Sequence, residues 1–349
     1  MIPAAATVAD TSAAALAQYG LFLPAVKPVA RSAESAGIHD VTWGRMAPLS
    51  DRLAAITRMD VLQRPGIDQP QLVVFAADHG IADEEIAQFG PEATRRLVEA
   101  MLAPDSPVLR MARGHGIRLT VVDAGVAVPL TPPSDPQAQV TLLTRKIGFG
   151  TRNMLLRPAM SAEQAVSALR AGMDVVHLLP GNTVLIGEAS AASRASAILL
   201  LSRLCGVPLA DACGHHPDWS ENTQKQRLER LFGVTARHRK AVTPFDAMVA
   251  MGGFDVAMMA GAMIQAASEG RLVIVDGFVA AAAALVARGL APTVADYLVY
   301  SHLSADPGHR LLMIHLQDRP LLDMELRMGQ GVGALLAWPL IRSALDLKL

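Results

Sequence analysis

Four short runs of apolar residues interrupt the chain, each closing on aspartate, glycine or glutamate: QLVVFAADHG (71–80), IRLTVVDAGV (117–126), NTVLIGEAS (182–190) and RLVIVDGFVAAAAAL (271–285). Their apolar residues are consecutive and do not alternate with polar ones, so these strands are expected to be buried on both faces. Alanine-rich stretches of helical character follow them. Strand and helix in alternation predict an α/β protein built on a Rossmann-like parallel sheet covered by helices. In such sheets ligands sit in the crevice beyond the carboxyl ends of the strands. Those ends carry Asp78 and His79, Asp123 and Gly125, Gly187 and Glu188, and Asp276 and Gly277. One aspartate or glycine at a strand end can simply form a turn or cap a helix. Four such ends along one sheet point to a site.

Two stretches depart from this pattern. VPLTPPSDPQ (128–137) is a proline-held surface excursion, and GHHPDWSENTQKQR (214–227) is expected to be a solvated loop. The second holds His215, His216, Asp218 and Trp219. Adjacent histidines diverge on most backbones and no third ligand follows at a metal-like spacing, so no metal site is expected. Met248, Met251, Met258, Met259 and Met263 recur at helical spacing and are assigned to core packing.

Composition narrows the function classes. The 349 residues are 51% hydrophobic and 18% charged, enough for a sizeable core, and the formal net charge is -1. With no run of lysine or arginine, a nucleic-acid or acidic-membrane partner is not expected, and a small molecule is. Cys205 and Cys213 alone cannot make a disulfide framework, which suits a reducing compartment. The first residues lack a basic segment followed by an apolar core, and the most apolar stretch, 272–290, is broken by Asp276 and Gly277. No signal peptide or membrane span is therefore read, and the cytoplasm is the expected location. A nicotinamide-dinucleotide dehydrogenase is set aside because no G-x-G-x-x-G turn follows the first strand, and GFGTRN follows no clear strand.

Seven segments in order, AADHGIADEEI, VVDAGV, GFGTRNM, GGFDVAMMAGAM, VIVDGFVAAAAAL, YSHLSADPGH and LRMGQGVGALLAWP, resemble the nicotinate-nucleotide:dimethylbenzimidazole phosphoribosyltransferases of cobalamin lower-ligand biosynthesis. The similarity runs from about residue 20 to the C-terminus. It implies a large α/β domain over roughly 40–310 and a smaller helical part from roughly 1–39 and 311–349. It also implies a homodimer, or a heterodimer with a related subunit, and a site at the carboxyl ends of the strands. The implied reaction displaces nicotinate from nicotinate mononucleotide by a ring nitrogen of an aromatic base, with no metal or organic cofactor. Pocket-lining segments of the family fall on Asp78, His79, Ser301, His302, Ser304, Met328, Gly329 and Gly331.

Such a displacement needs an acceptor for the azole proton, stabilisation of positive charge growing on the ribose, and a cradle for the phosphate. The family places a general-base glutamate between two glycines. Here that residue is Gln330, whose amide accepts no proton near neutral pH. Glu188 is retained, but the phosphate-wrapping segment after it is replaced by ASAASRA, leaving Ser193 and Arg194 as candidate phosphate contacts. Two positions that touch the aromatic base in the family fall on Phe89 and Leu97, and Lys225 or Arg227 stands for a basic residue of the second phosphate-side loop. Changes at this many places point to natural divergence. Two functions are compatible with them: a transferase in which Glu188 or a pocket histidine has replaced the lost base, and a catalytically impaired paralogue acting as a binding or heterodimer subunit.

Overall fold

Segments Gln71–Ala77 (β1), Arg118–Gly125 (β2), Val140–Thr144 (β3), Thr183–Glu188 (β4), Leu272–Val275 (β5) and Leu298–Tyr300 (β6) form one sheet in the order β3-β2-β1-β4-β5-β6. Every neighbouring pair is parallel. The computed structural model describes residues 5–29, 42–57, 66–84, 92–133, 139–215 and 219–347. β1 is buried throughout and β2 everywhere except Arg118, as expected of consecutive apolar residues packed on both faces. The chain turns back on itself beside β1: β2 and β3 extend to one side, β4 to β6 to the other. That reversal opens a crevice between the carboxyl ends of β1 and β4. Register sets Phe75 against Glu188 and Val275 against Tyr300, so Asp78, Glu188, Asp276 and Ser301 emerge along the same edge.

The covering helices are held by small residues. Ala162–His177 (α5) begins with a capping box in which Ser161 and Gln164 satisfy each other's backbone amides. It lies so close to Phe254–Ser268 (α10) that a Cβ on Gly172 would run into the Met258 carbonyl, and one on Gly261 into the Leu169 carbonyl. The five methionines singled out from their spacing are all fully buried. Gly277–Leu290 (α11) is the alanine-rich helix after β5 and packs against α10 and Ser193–Cys205 (α6). Ala5–Gln18 (α1) lies against α11 and Pro244–Met251 (α9), and Val332–Asp346 (α13) against Met46–Ile56 (α2).

Three elements differ from the sequence reading. GFGTRN does follow a strand, because β3 ends just before it; β3 is an edge strand with only Val140 buried and so has no continuous apolar run. His302–Ser304 (β7) and Leu322–Leu326 (β8) form a second, two-stranded parallel sheet joined through Pro307–Leu316 (α12). The stretch expected as a solvated loop is helical in its second half: Ser220 accepts a hydrogen bond from the Thr223 amide and starts Glu221–Arg237 (α8). Ala93–Leu102 (α3), Pro107–Gly114 (α4) and the short Leu209–Cys213 (α7) complete the helices used below.

Candidate active site

Glu188 ends β4 and is half-buried at the mouth of the crevice. Its Oε2 accepts hydrogen bonds from the Ser190 amide (2.7 Å) and the Ser193 hydroxyl (3.2 Å). Burial pushes the carboxyl up to about 8, helped by the negative charge of Asp255, and the two hydrogen bonds and His79 offset only part of this. A carboxyl in that state exchanges its proton near physiological pH.

Gln330 stands directly beside it. The backbone N–H of Gln330 donates to the main-chain carbonyl of Glu188 at 2.8 Å, and Gln330 and Gly331 both adopt the left-handed region, at φ 66° and 80°. The glycines around Gln330 have distinct reasons. A Cβ on Gly329 would press on the Glu188 carbonyl at 2.9 Å and its Oε1 at 3.2 Å, and one on Gly331 would meet the Leu72 side chain at 2.5 Å. Gly187 is required from the other side, since its Cβ would lie 2.7 Å from the Gly331 amide. The flanking glycines thus let the end of β4 and the start of α13 touch backbone to backbone. Asp276, at the end of β5, fixes that start: its carboxylate accepts from the Gly331 and Ala334 amides, both at 2.9 Å. Burial raises its pKa, opposed by His302 and by these amides.

His79 is buried with both ring nitrogens engaged. Nε2 is 3.0 Å from Asp255 Oδ1, and Nδ1 is 3.1 Å from the Ser196 hydroxyl. Burial lowers its pKa, but the charge and hydrogen bond of Asp255, with Glu188 and Asp78, outweigh that and hold it above its ordinary value. Asp255 is also desolvated, yet His79 and its hydrogen bonds bring its carboxyl below the ordinary range. Asp255 is absent from the residues singled out by sequence; the sign available was an acid following two glycines at a helix start. Asp78 ties neighbouring loops together, accepting from the Ala127 amide at 2.7 Å through its carboxylate and from the Thr151 amide at 2.9 Å through its carbonyl.

On the other side of Glu188, the first turn of α6 carries Arg194. Its Nε pairs with Asp306, its Nη2 donates to the Cys213 carbonyl at 3.2 Å, and its buried Nη1 has no hydrogen-bond partner among the described residues. Arg227, 5% exposed, lies over the Trp219 ring at 4.3 Å, and its Nε likewise has no partner among the described residues. Burial pulls Arg227 down to about 10, and the charge of Arg194 adds to the effect. Lys225 is exposed on α8, so of the two basic candidates Arg227 is the one that faces inward.

The remaining candidates are more dispersed. Ser301 donates to the Val275 carbonyl at 2.9 Å, and the buried His302 has Nδ1 3.0 Å from the Ser301 hydroxyl. Ser304 is half-buried and 3.0 Å from His309 Nδ1, while Met328 is exposed and Leu97 is half-buried on α3. Phe89, His216 and Asp218 lie outside the described residues. Among the described residues no group of three histidine, cysteine, aspartate or glutamate side chains is placed to hold a metal ion. No helix among them is long and apolar enough to cross a membrane. A groove of about 1020 Å³ lies away from Glu188, between Leu155–Pro158 and the α8–α9 junction.

A parallel α/β sheet with a half-buried glutamate at its switch point defines the class of the fold: one in which ligands sit in the crevice beyond the strand ends. A phosphoribosyltransferase family model matches residues 31–348. Nicotinate-nucleotide:dimethylbenzimidazole phosphoribosyltransferases of Variovorax paradoxus (41% identical, covering 86% of this chain and 84% of the relative) and Cupriavidus taiwanensis (40%, 92% and 93%) are similar over most of their length. A crystal structure of the Thermus thermophilus phosphoribosyltransferase of the same name superposes with a TM-score of 0.81 at 28% identity, covering 96% of this chain and 95% of that one. The chain belongs to the nicotinate-nucleotide:dimethylbenzimidazole phosphoribosyltransferase family.

Proposed function

We propose that this protein transfers phosphoribose from nicotinate mononucleotide to an aromatic azole such as dimethylbenzimidazole in cobamide biosynthesis, with Glu188 as the proton acceptor. One azole nitrogen attacks the anomeric carbon, the bond to the pyridinium nitrogen breaks, and nicotinate leaves with the electron pair. The proton on the other azole nitrogen passes to Glu188. The observation that carries this reading is the 2.8 Å hydrogen bond from the backbone N–H of Gln330 to the main-chain carbonyl of Glu188, which sets the two residues next to each other at the carboxyl end of β4. A carboxyl near 8 is matched to that work, because a base is most effective when its pKa is close to the working pH. Gln330, which offers both a donor and an acceptor, orients the azole. The unpartnered Nη1 of Arg194, whose Nε is paired with Asp306, and the unpartnered Nε of the buried Arg227 receive the phosphate. His302, Ser304, Met328 and Leu97 serve as walls of the cleft.

The protein acts in the cytoplasm as a homodimer or with a related subunit. The presence of an amide where the family keeps an acid favours a second reading, a subunit with impaired catalysis that completes its site with an intact relative. Incubation with nicotinate mononucleotide and dimethylbenzimidazole, following nicotinate release and the ribosylated product by chromatography, separates the two. Turnover by the chain alone is the expected result. Release of nicotinate only after mixing with an intact relative would support the second reading.

A further inference from the structure

The groove between residues 155–158, the end of α8 and the start of α9 is a preformed cavity that the proposed reaction does not use. Main-chain atoms tie its walls together. The Ala159 and Met160 amides donate to the Ala250 and Val249 carbonyls at 3.0 and 3.1 Å, and the buried His238 donates from Nε2 to the Met154 carbonyl at 2.7 Å. Arg203 secures the turn after α8, its guanidinium donating to the Thr235 carbonyl at 2.8 Å and the Arg239 carbonyl at 3.2 Å. At about 1020 Å³ the space matches the upper end of sites that enclose small molecules.

The lining is chemically divided. Leu155, Pro158 and Val249 make part of it apolar. Arg237, Arg239 and Lys240 are exposed on it, and their side chains have no hydrogen-bond or ion-pair partner among the described residues. Because Arg203 already supplies donors to a carbonyl at the end of α8, these three cations are surplus to the needs of the helix. Among the described residues Asp246 is the one acid of the lining; its Oδ2 accepts from the Thr243 hydroxyl at 2.8 Å, and its Oδ1 has no partner there. Three cations beside an apolar surface suit a phosphorylated molecule with an apolar body, since guanidinium groups meet phosphate through paired hydrogen bonds. The carboxylate narrows the choice. A wholly acidic segment of another protein brings like charge against Asp246, whereas a ribose hydroxyl donates to it, as ribose does to the acid of dinucleotide sites. We propose that this groove is a second small-molecule site, for a nucleoside monophosphate, with the phosphate on Arg237, Arg239 and Lys240, the ribose on Asp246 and the base against Leu155, Pro158 and Val249. The site stands apart from the reading of Glu188.

The test is a ligand titration of the full-length protein labelled with 13C-methyl leucine and valine, with Leu155→Met and Val249→Ile identifying the groove resonances. AMP is expected to shift both methyl signals with a saturable midpoint of about 1 mM or lower, and adenosine and inorganic phosphate to act more weakly. In Arg237→Gln/Arg239→Gln the AMP midpoint is expected to rise about tenfold. In Asp246→Asn it is expected to rise about threefold for AMP and to fall for inorganic phosphate, because a like charge has gone. Arg227→Met, which alters the phosphate contacts of the crevice, should leave the groove shifts as they are. Nicotinate mononucleotide, run beside AMP, tells a site for the transferase's own substrate from one for the purine pool; saturable binding of either supports the proposal. Groove methyls that stay still at about 5 mM of both nucleotides, or shifts that the double variant leaves unchanged, would overturn it. So would a glutamate-leucine peptide that acts at lower concentration than AMP. Should the double variant fail to fold, the opposite responses of AMP and inorganic phosphate in Asp246→Asn decide. The titration needs no turnover, so its failure leaves the assignment of Glu188 untouched.

Discussion

Replacing Glu188 with glutamine tests the site on two independent axes. The substitution keeps the shape and the acceptor oxygen that the Ser190 amide and Ser193 hydroxyl require, and removes only the ability to take a proton. Loss of a general base lowers kcat/KM by about 10²–10⁴-fold, on the order of 3–5 kcal/mol of barrier. In the wild type, a base titrating near 8 makes kcat/KM rise about tenfold per pH unit below that value and level off above it, so that roughly one-tenth of the plateau remains at pH 7. The second axis is stability. A carboxyl whose folded pKa exceeds its unfolded value binds its proton more tightly when folded, so its contribution is complete below the unfolded value of 4.5 and is lost as pH rises through about 8. The glutamine variant lacks this loss and should gain on the wild type by on the order of 2–3 kcal/mol between about pH 4.5 and 8.5, a figure reduced for the partial exposure of the group. Initial rates of nicotinate release and urea midpoints at about pH 5, 7 and 8.5 measure both. A flat wild-type rate profile from about pH 6 to 9, or wild-type turnover in Glu188→Gln, would refute the argument.

Other substitutions probe neighbouring parts. Gln330→Glu leaves the left-handed backbone as it is and adds a second acid beside Glu188; with residue 330 as the base, kcat/KM at pH 7 should rise by up to about tenfold as the acidic limb moves to lower pH, and an unchanged profile would mean that residue 330 does not reach the azole. Arg227→Met keeps the contact with Trp219 and removes the charged donors; KM for nicotinate mononucleotide should increase about 10–100-fold with kcat nearly constant, in line with the loss of about 1.5–3 kcal/mol for a hydrogen bond to a charged group. Gly261→Ala forces a methyl group against the Leu169 carbonyl and should cost about 1–3 kcal/mol in thermal unfolding, whereas Gly114→Ala, which has open space around it, should be neutral or slightly stabilising.

The parts of the molecule that follow from local pattern are legible in the sequence. Consecutive apolar residues reveal β1, β2, β4 and β5, because strands buried on both faces must be apolar at nearly every position. β3 escapes notice for the opposite reason: an edge strand exposes part of its length, and VTLLT has no long apolar run. The start of α8 is hidden because SENTQKQR is polar throughout its first turns, and the capping serine is the one sign of a helix. In the site, Glu188 and Gln330 can be named from the strand end and the paired glycines, but not that their backbones touch, since 142 residues of chain separate them (330 minus 188). Asp255 shows the limit more sharply. Its importance comes from lying beside His79, 176 residues away, and no local spacing encodes that meeting.

The way residue 330 is held has an evolutionary consequence. Its location is dictated by main-chain atoms: the Glu188 carbonyl accepts its amide, Asp276 anchors the next residue, and flanking glycines provide clearance. These contacts are made by the main chain of residue 330 and by its neighbours. Exchange of acid for amide therefore leaves these main-chain contacts in place, and selection for product decides which members of such a lineage keep the acid.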